Sequence, residues 1–297
     1  MLISHAPNLR NHYVFLKKYG RLFKKHIFFF HGHEVLKINK VYSKPYSYME
    51  SRINIKKVFQ NIYDEFKLKI WHNYFIKNNY KSFYIFVSEW MKREFLKWTK
   101  IKESEIKEHS FITYNSIGEE FETEKYNEYI EKEYDFITIR GNLDGSKYCI
   151  DIVNKLANQN KDCKFIVIGK GKYFKIKSKA ENIKWIDKHL DHNEIINMLN
   201  NSKCALMPTR TDAQGLMACE IASFGIPLIT SNIPVCHEIF DDFDNVSYIN
   251  NNNIEEEDIK EKYKFIKDNK KIKKNEKYFA KNTCKKELEI FKKVIGE

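Results

Sequence analysis

Between residues 136 and 232 the chain repeats one unit: a short uninterrupted run of apolar and β-branched residues, a turn, then a helical stretch. The runs are FITIR (136–140), KFIVIGKG (164–171), NIKWID (182–187), KCALMPT (203–209) and IPLITSN (226–232). Between them lie YCIDIVNKLANQN, HNEIINMLNNS and GLMACEIASFG, which read as helices. Strands that are apolar at every position, rather than at alternate ones, are buried on both faces, as in a parallel sheet covered by helices on either side. The repeat therefore predicts a doubly wound α/β domain.

The first part of the chain shows the same grammar. LISHAP (2–7), HIFFFHGH (26–33) and SFYIFVS (82–88) read as strands. A long helical stretch from about Tyr48 to Tyr74 and the segment WMKREFLKWTK read as helices. A length of 297 residues accommodates two such domains. YNSIGEEFETEKYNEYIEKE (114–133) turns acidic and polar, as a linker does. The expected division is 1–118, 119–275 and a C-terminal helix over 276–297. Beyond residue 251 the chain reads as charged helices presenting a solvated face.

Residues 1–118 carry 22 Lys and Arg against 9 Asp and Glu, a balance of +13; the remainder carries 30 against 31. Such a field attracts nucleic acid, an acidic membrane surface or a phosphorylated substrate. A compositional bias toward Lys, Asn and Ile is the plainer source of the same charge. The aromatic residues sit in apolar runs such as IFFF rather than between basic residues, which argues against a nucleic-acid surface. No run of about 18 apolar residues predicts a membrane span, and the N-terminus has no signal-peptide pattern. The six cysteines are dispersed, with no C-x-x-C, as expected of reduced thiols in a cytoplasmic protein.

The chemistry concentrates in TRTDAQGLMACEIASFGIPLITSNIPVCHE (209–238). A strand runs into a loop and the loop into a helix whose first N–H groups point back toward the loop, with the positive end of the helix dipole behind them. This makes an anion site, and Gly215 lets a phosphate approach the backbone closely. Asp212 and Glu220 stand eight residues apart with Gly215-Leu216 between them; Gly225-Ile226-Pro227 follows Ala222, and Glu238 comes later. This composite resembles the nucleotide-sugar site of retaining GT-B glycosyltransferases of the family-four type, the group 1 glycosyl transferases.

The resemblance implies a GT-B-like pair of Rossmann-type doubly wound domains, with the N-terminal one incomplete. About 70–90 residues of that first domain would be absent, and a partner subunit supplying them is one expectation. It implies that Glu220 binds ribose hydroxyls and that Asp212, where the family usually has Glu, reaches the donor sugar. Arg140 and Lys147, after the strand FITIR, would neutralise a departing diphosphate in place of a metal. Gly169 and Gly171 would line the nucleotide pocket. His31, with His33 second, would point toward the sugar. Each residue also has a plainer reading: Asp212 as a loop cap, Glu220 as an acid at the helix start, Lys147 as a surface lysine, His31 as a packed histidine. His31, His33 and Glu34 lack a remote third ligand for a metal.

What the resemblance implies is a transferase moving a sugar from a nucleotide diphosphate-sugar to a hydroxyl of a glycan or lipid-linked glycan, in surface polysaccharide or glycolipid synthesis. No cofactor or metal is expected. The basic first domain would make peripheral contact at the inner face of a membrane. The alternative is a catalytically silent nucleotide-sugar-binding remnant, or the donor-binding subunit of a two-chain transferase.

Overall fold

A computed structural model describes residues 1–50, 54–269 and 274–296. The chain divides into two compact units: Met1–Tyr42, Arg52–Asn115 and Lys281–Glu297 form the first, Ser43–Ser51 and Ser116–Ala280 the second.

The first unit is built on a parallel sheet of β1 (Leu2–His5), β2 (His26–Phe30), β3 (Ser82–Phe86) and β4 (Ser110–Ile112), in that spatial order. Every residue of β2 and β3 is buried, because both faces are covered. On one face Phe28, Phe30, Tyr84 and Phe86 pack against Phe75 of α1 (Asn54–Lys77) and Phe95 of α2 (Glu89–Thr99). On the other, Ile27, Phe29, Phe83 and Ile85 meet Ile290 and Val294 from the helix Ala280–Ile295. That helix is therefore core on one side, which corrects the reading of the C-terminal region as a solvated face. The Ser88 hydroxyl accepts from the Met91 amide and starts α2; Lys100, in the left-handed region, ends it.

The second unit holds six parallel strands: β5 (Tyr134–Asn142), β6 (Phe165–Lys170), β7 (Ile183–Ile186), β8 (Ser202–Leu206), β9 (Leu228–Ser231) and β10 (Val246–Ile249). Their order is β10-β9-β8-β5-β6-β7. The chain winds outward from β5 to β7, returns to β8 beside β5, and winds out the other way, so the order reverses between β5 and β8. In an open sheet that reversal opens a crevice at the carboxyl ends, where ligands bind. Its helices are α3 (Ile150–Gln159), α4 (His192–Asn200), α5 (Leu216–Phe224), α6 (Pro234–Phe240) and α7 (Ile259–Asn269). Val153, Leu156 and Ala157 of α3 share one core with Phe136, Val167, Cys204 and Ile229 of the sheet and with Ile259 and Ile266 of α7.

Three segments differ from expectation. Residues 116–124 are not a free linker: Glu119–Thr123 forms a short helix whose Phe121 is fully buried against Phe224. β4 and β10 went unread because each is only three or four residues long, and several of their residues are merely half-buried. The six cysteines are all unpaired, five of them buried. Among the described residues, no helix is long and apolar enough to cross a membrane.

Candidate functional site

The crevice between β5 and β8 holds a small cleft whose lining includes Arg140, Thr209, Asp212, Gln214, Gly215 and Cys236. Arg140 sits near the end of β5 and is only 7% exposed. Its Nη2 donates to the Pro208 carbonyl at 2.7 Å, its guanidinium lies 5.1 Å from the centre of the Tyr148 ring, and its Nε has no hydrogen-bond partner. Burial lowers its pKa, opposed by the thiol of Cys149 and the carboxylate of Asp212. A buried cation with an orphaned donor is costly unless an anion completes it.

Asp212 is half-buried on the loop after β8, and its Oδ1 accepts from the Ala213 amide at 2.9 Å. Gly215 caps α5 with φ +74°, and its carbonyl accepts from Ala218 and Cys219. The amides ahead of those, including that of Leu216, come before the helical ladder begins. Leu216 itself is 42% exposed.

Lys147 is carried by the turn Ser146–Tyr148, with its Nζ 4.7 Å from the same Tyr148 ring that Arg140 covers. Its carbonyl accepts from the Arg210 amide at 2.9 Å and the Thr209 hydroxyl at 3.1 Å, which ties the loop after β5 to the loop after β8. Arg140, Lys147, Asp212 and Gly215 thus converge on one end of the sheet.

Glu220 has a different partner. It is 4% exposed on α5 and outside the cleft lining; its Oε1 accepts from the Gly118 amide at 3.3 Å. Burial raises its pKa, with the Gly118 amide and His192 working against the shift. His192, the first residue of α4, donates through Nδ1 to Glu120 at 2.9 Å. A side chain at Gly118 would press on the His192 ring, its Cβ 2.8 Å from Cε1.

Gly169 is not among the cleft-lining residues. Its φ is +149°, and a Cβ there would overlap the carbonyl oxygen of Arg140, so glycine is what lets β5 and β6 approach at the irregularity between Ile139 and Asn142. Gly171 lies beside Leu143 and Asp144 for a similar reason. Glu238 lies on α6, its carbonyl accepting from Lys277.

In the first unit His31 follows β2, stacked 5.8 Å from His5, while its amide donates to Glu34. Glu34 also accepts from the Gly32 amide at 2.7 Å, and His33 pairs with the Tyr42 hydroxyl at 3.0 Å. Glu34 therefore caps the loop. The buried pair Lys67–Asp64 holds it from beneath, with Lys67 donating to the carbonyls of His33 and Leu36.

Sequence reasoning missed Arg210, Tyr46, Tyr48 and His192. Arg210 binds Asp151 through two hydrogen bonds of 3.0 and 2.6 Å and donates to the Ser146 carbonyl. Its position two residues before Asp212 was a signal. The tyrosines, about a hundred residues from their partners, gave none.

A Rossmann-ordered sheet with basic side chains and a glycine-capped helix at its reversal is the arrangement of a nucleotide-binding α/β protein. The family described as Glycosyl transferases group 1 matches residues 121–286, more than half of the chain, and the chain belongs to that family. Over 99 residues it is 33% identical to the O-antigen biosynthesis glycosyltransferase WclY of Escherichia coli, which covers 31% of this chain and 27% of that protein. Over 45 residues it is 44% identical to a glycogen synthase of Mycobacterium tuberculosis, covering 15% of this chain and 11% of that one. The fold is similar to that of TarM, with a TM-score of 0.58 at 16% identity, over 90% of this chain and 50% of TarM. The chain thus spans about half the length of that protein.

Proposed function

We propose that this chain binds a nucleotide diphosphate-sugar in the second unit and transfers the sugar, with retention, to a hydroxyl of a glycan or lipid-linked glycan acceptor. The supporting observation is Arg140: a buried guanidinium with an unpartnered Nε, lining the cleft beside the glycine-capped start of α5. Arg140, the amides of the first turn of α5 and Lys147 take the diphosphate. As the bond from the anomeric carbon to the phosphate oxygen breaks, they stabilise the charge that grows there. The acceptor oxygen bonds to the same face of that carbon, and its proton goes to the departing diphosphate. Asp212 reaches the sugar hydroxyls, and Glu220 takes the ribose hydroxyls by giving up its hydrogen bond from the Gly118 amide. A similar fold belongs to the pneumococcal O-GlcNAc transferase GtfA, solved in complex with UDP and GlcNAc, which supports a diphosphate nucleotide as donor fragment.

Calorimetric titration with UDP- and GDP-sugars, alongside donor hydrolysis, tests this. The wild type binds and turns over one of them, and Glu220→Ala weakens binding at least about tenfold, the scale of hydrogen bonds to a charged group. Binding without turnover favours a silent donor-binding chain. No binding to either nucleotide class defeats the assignment.

A further inference from the structure

The segment that follows Tyr42 belongs to the second unit, and it meets the loop that carries Lys147. Ser43 and Ser146 pair through their hydroxyls at 2.8 Å. The Tyr48 hydroxyl donates to Asp144 Oδ1 at 2.7 Å, and the Tyr46 hydroxyl to Asp151 Oδ1 at 3.0 Å. The two rings stack on each other with centroids 5.9 Å apart, and Tyr46 leans on Tyr173 at 4.8 Å. Burial drives the pKa of both phenols well above its ordinary value, so both remain donors throughout the neutral range.

The acceptors are themselves anchored from the other side. Asp144 accepts from the Lys172 amide at 2.9 and 3.1 Å, and Asp151 is ion-paired with Arg210 at 2.6 Å. Asp144, Ser146 and Asp151 therefore bracket Lys147 along the chain. The intervening stretch contains Gly145 and would have more conformational freedom without such anchors. The two phenols bond to Asp144 and Asp151, so their effect on Lys147 passes through the loop.

We propose that Ser43–Tyr48 is a strap that positions Lys147, with Tyr48 acting through Asp144 and Tyr46 through Asp151 to hold the loop where the lysine meets the donor diphosphate. The proposal rests on the reading of Lys147 as a phosphate ligand. Tyr46 and Tyr48 are positioning residues; a phenylalanine at either place keeps the ring packing and removes only the hydroxyl.

The test is a double-mutant cycle on the full chain, with UDP and GDP as the probes and calorimetry as the readout, alongside melting temperatures. Tyr48→Phe weakens binding of whichever nucleotide the wild type takes by about fivefold, within the range of coupled neighbours. In a Lys147→Ala background the same change adds less than about twofold, because the group being positioned is gone. Tyr46→Phe behaves likewise. If Lys147→Ala weakens binding but Tyr48→Phe and Tyr46→Phe leave affinity unchanged, or cost the same in both backgrounds, the strap is overturned while the phosphate reading stands. If Lys147→Ala itself leaves affinity unchanged, or neither nucleotide binds the wild type, the phosphate reading falls, and the strap with it.

Discussion

Two histidines show how residue-scale surroundings set opposite pH responses. His192 donates to Glu120, and that hydrogen bond, opposed by partial burial and reinforced by the charges of Glu220, Glu120 and Asp191, raises its pKa above the usual histidine value. Its contribution to stability is complete below the ordinary pKa of about 6.5 and is lost as pH rises through the raised folded value. The melting-temperature gap between wild type and His192→Gln is therefore expected to be widest in mild acid and to close under alkaline conditions. His26, 1% exposed, is pinned between the Gly20 carbonyl and the Tyr74 hydroxyl, both at 2.9 Å, and burial lowers its pKa. The folded chain keeps it neutral, so stability is complete above the ordinary value and falls as pH drops toward the lowered one. Wild type and His26→Gln should converge in acid. Neither response was legible in the sequence, since both depend on partners brought together by folding.

At the scale of elements, the strands were legible because continuous apolar runs leave few alternatives, and the helices between them followed. What they rest on was less so. The helix Ala280–Ile295 looks solvated because lysines and glutamates dominate it, yet its narrow apolar stripe of Ile290 and Val294 reaches Phe29 and Ile85 through the first unit's core. Ile290→Ala is expected to cost about 2–5 kcal/mol in urea unfolding, where a solvated position would cost nearly nothing. Gly169→Ala tests the β5–β6 crossing. The added carbon meets the Arg140 carbonyl at a backbone angle that L residues rarely adopt, so a loss on the order of 3 kcal/mol or more is expected, or failure to fold. A glycine after a strand is readable as sequence; its reason, the neighbouring strand's carbonyl, is not.

For the whole molecule, charge and exposed apolar surface coincide in the first unit. Phe59, Ile62 and Phe66 of α1 are 60% exposed or more, on a chain segment whose balance is +13 over residues 1–118. Both features suit an anionic bilayer, with each basic group near the surface contributing about 1 kcal/mol. Co-sedimentation with phosphatidylserine vesicles, weakened by salt and by Phe59→Ser with Phe66→Ser, is the expected result. Equal binding to neutral vesicles, or none at low salt, counts against it.

By itself the sequence determined the doubly wound architecture and the segment where Asp212, Gly215 and Leu216 meet the end of a strand, because burial pattern, glycine position and spacing are local properties. Only the tertiary structure decided which of the remaining residues share that site. It buried Arg140 in the cleft, turned Glu220 toward Gly118 and His192, and delivered Tyr46 and Tyr48 to the Lys147 loop. These are long-range meetings. A side chain's direction and its partners from distant parts of the chain are fixed by how strands and helices pack, which no local pattern encodes.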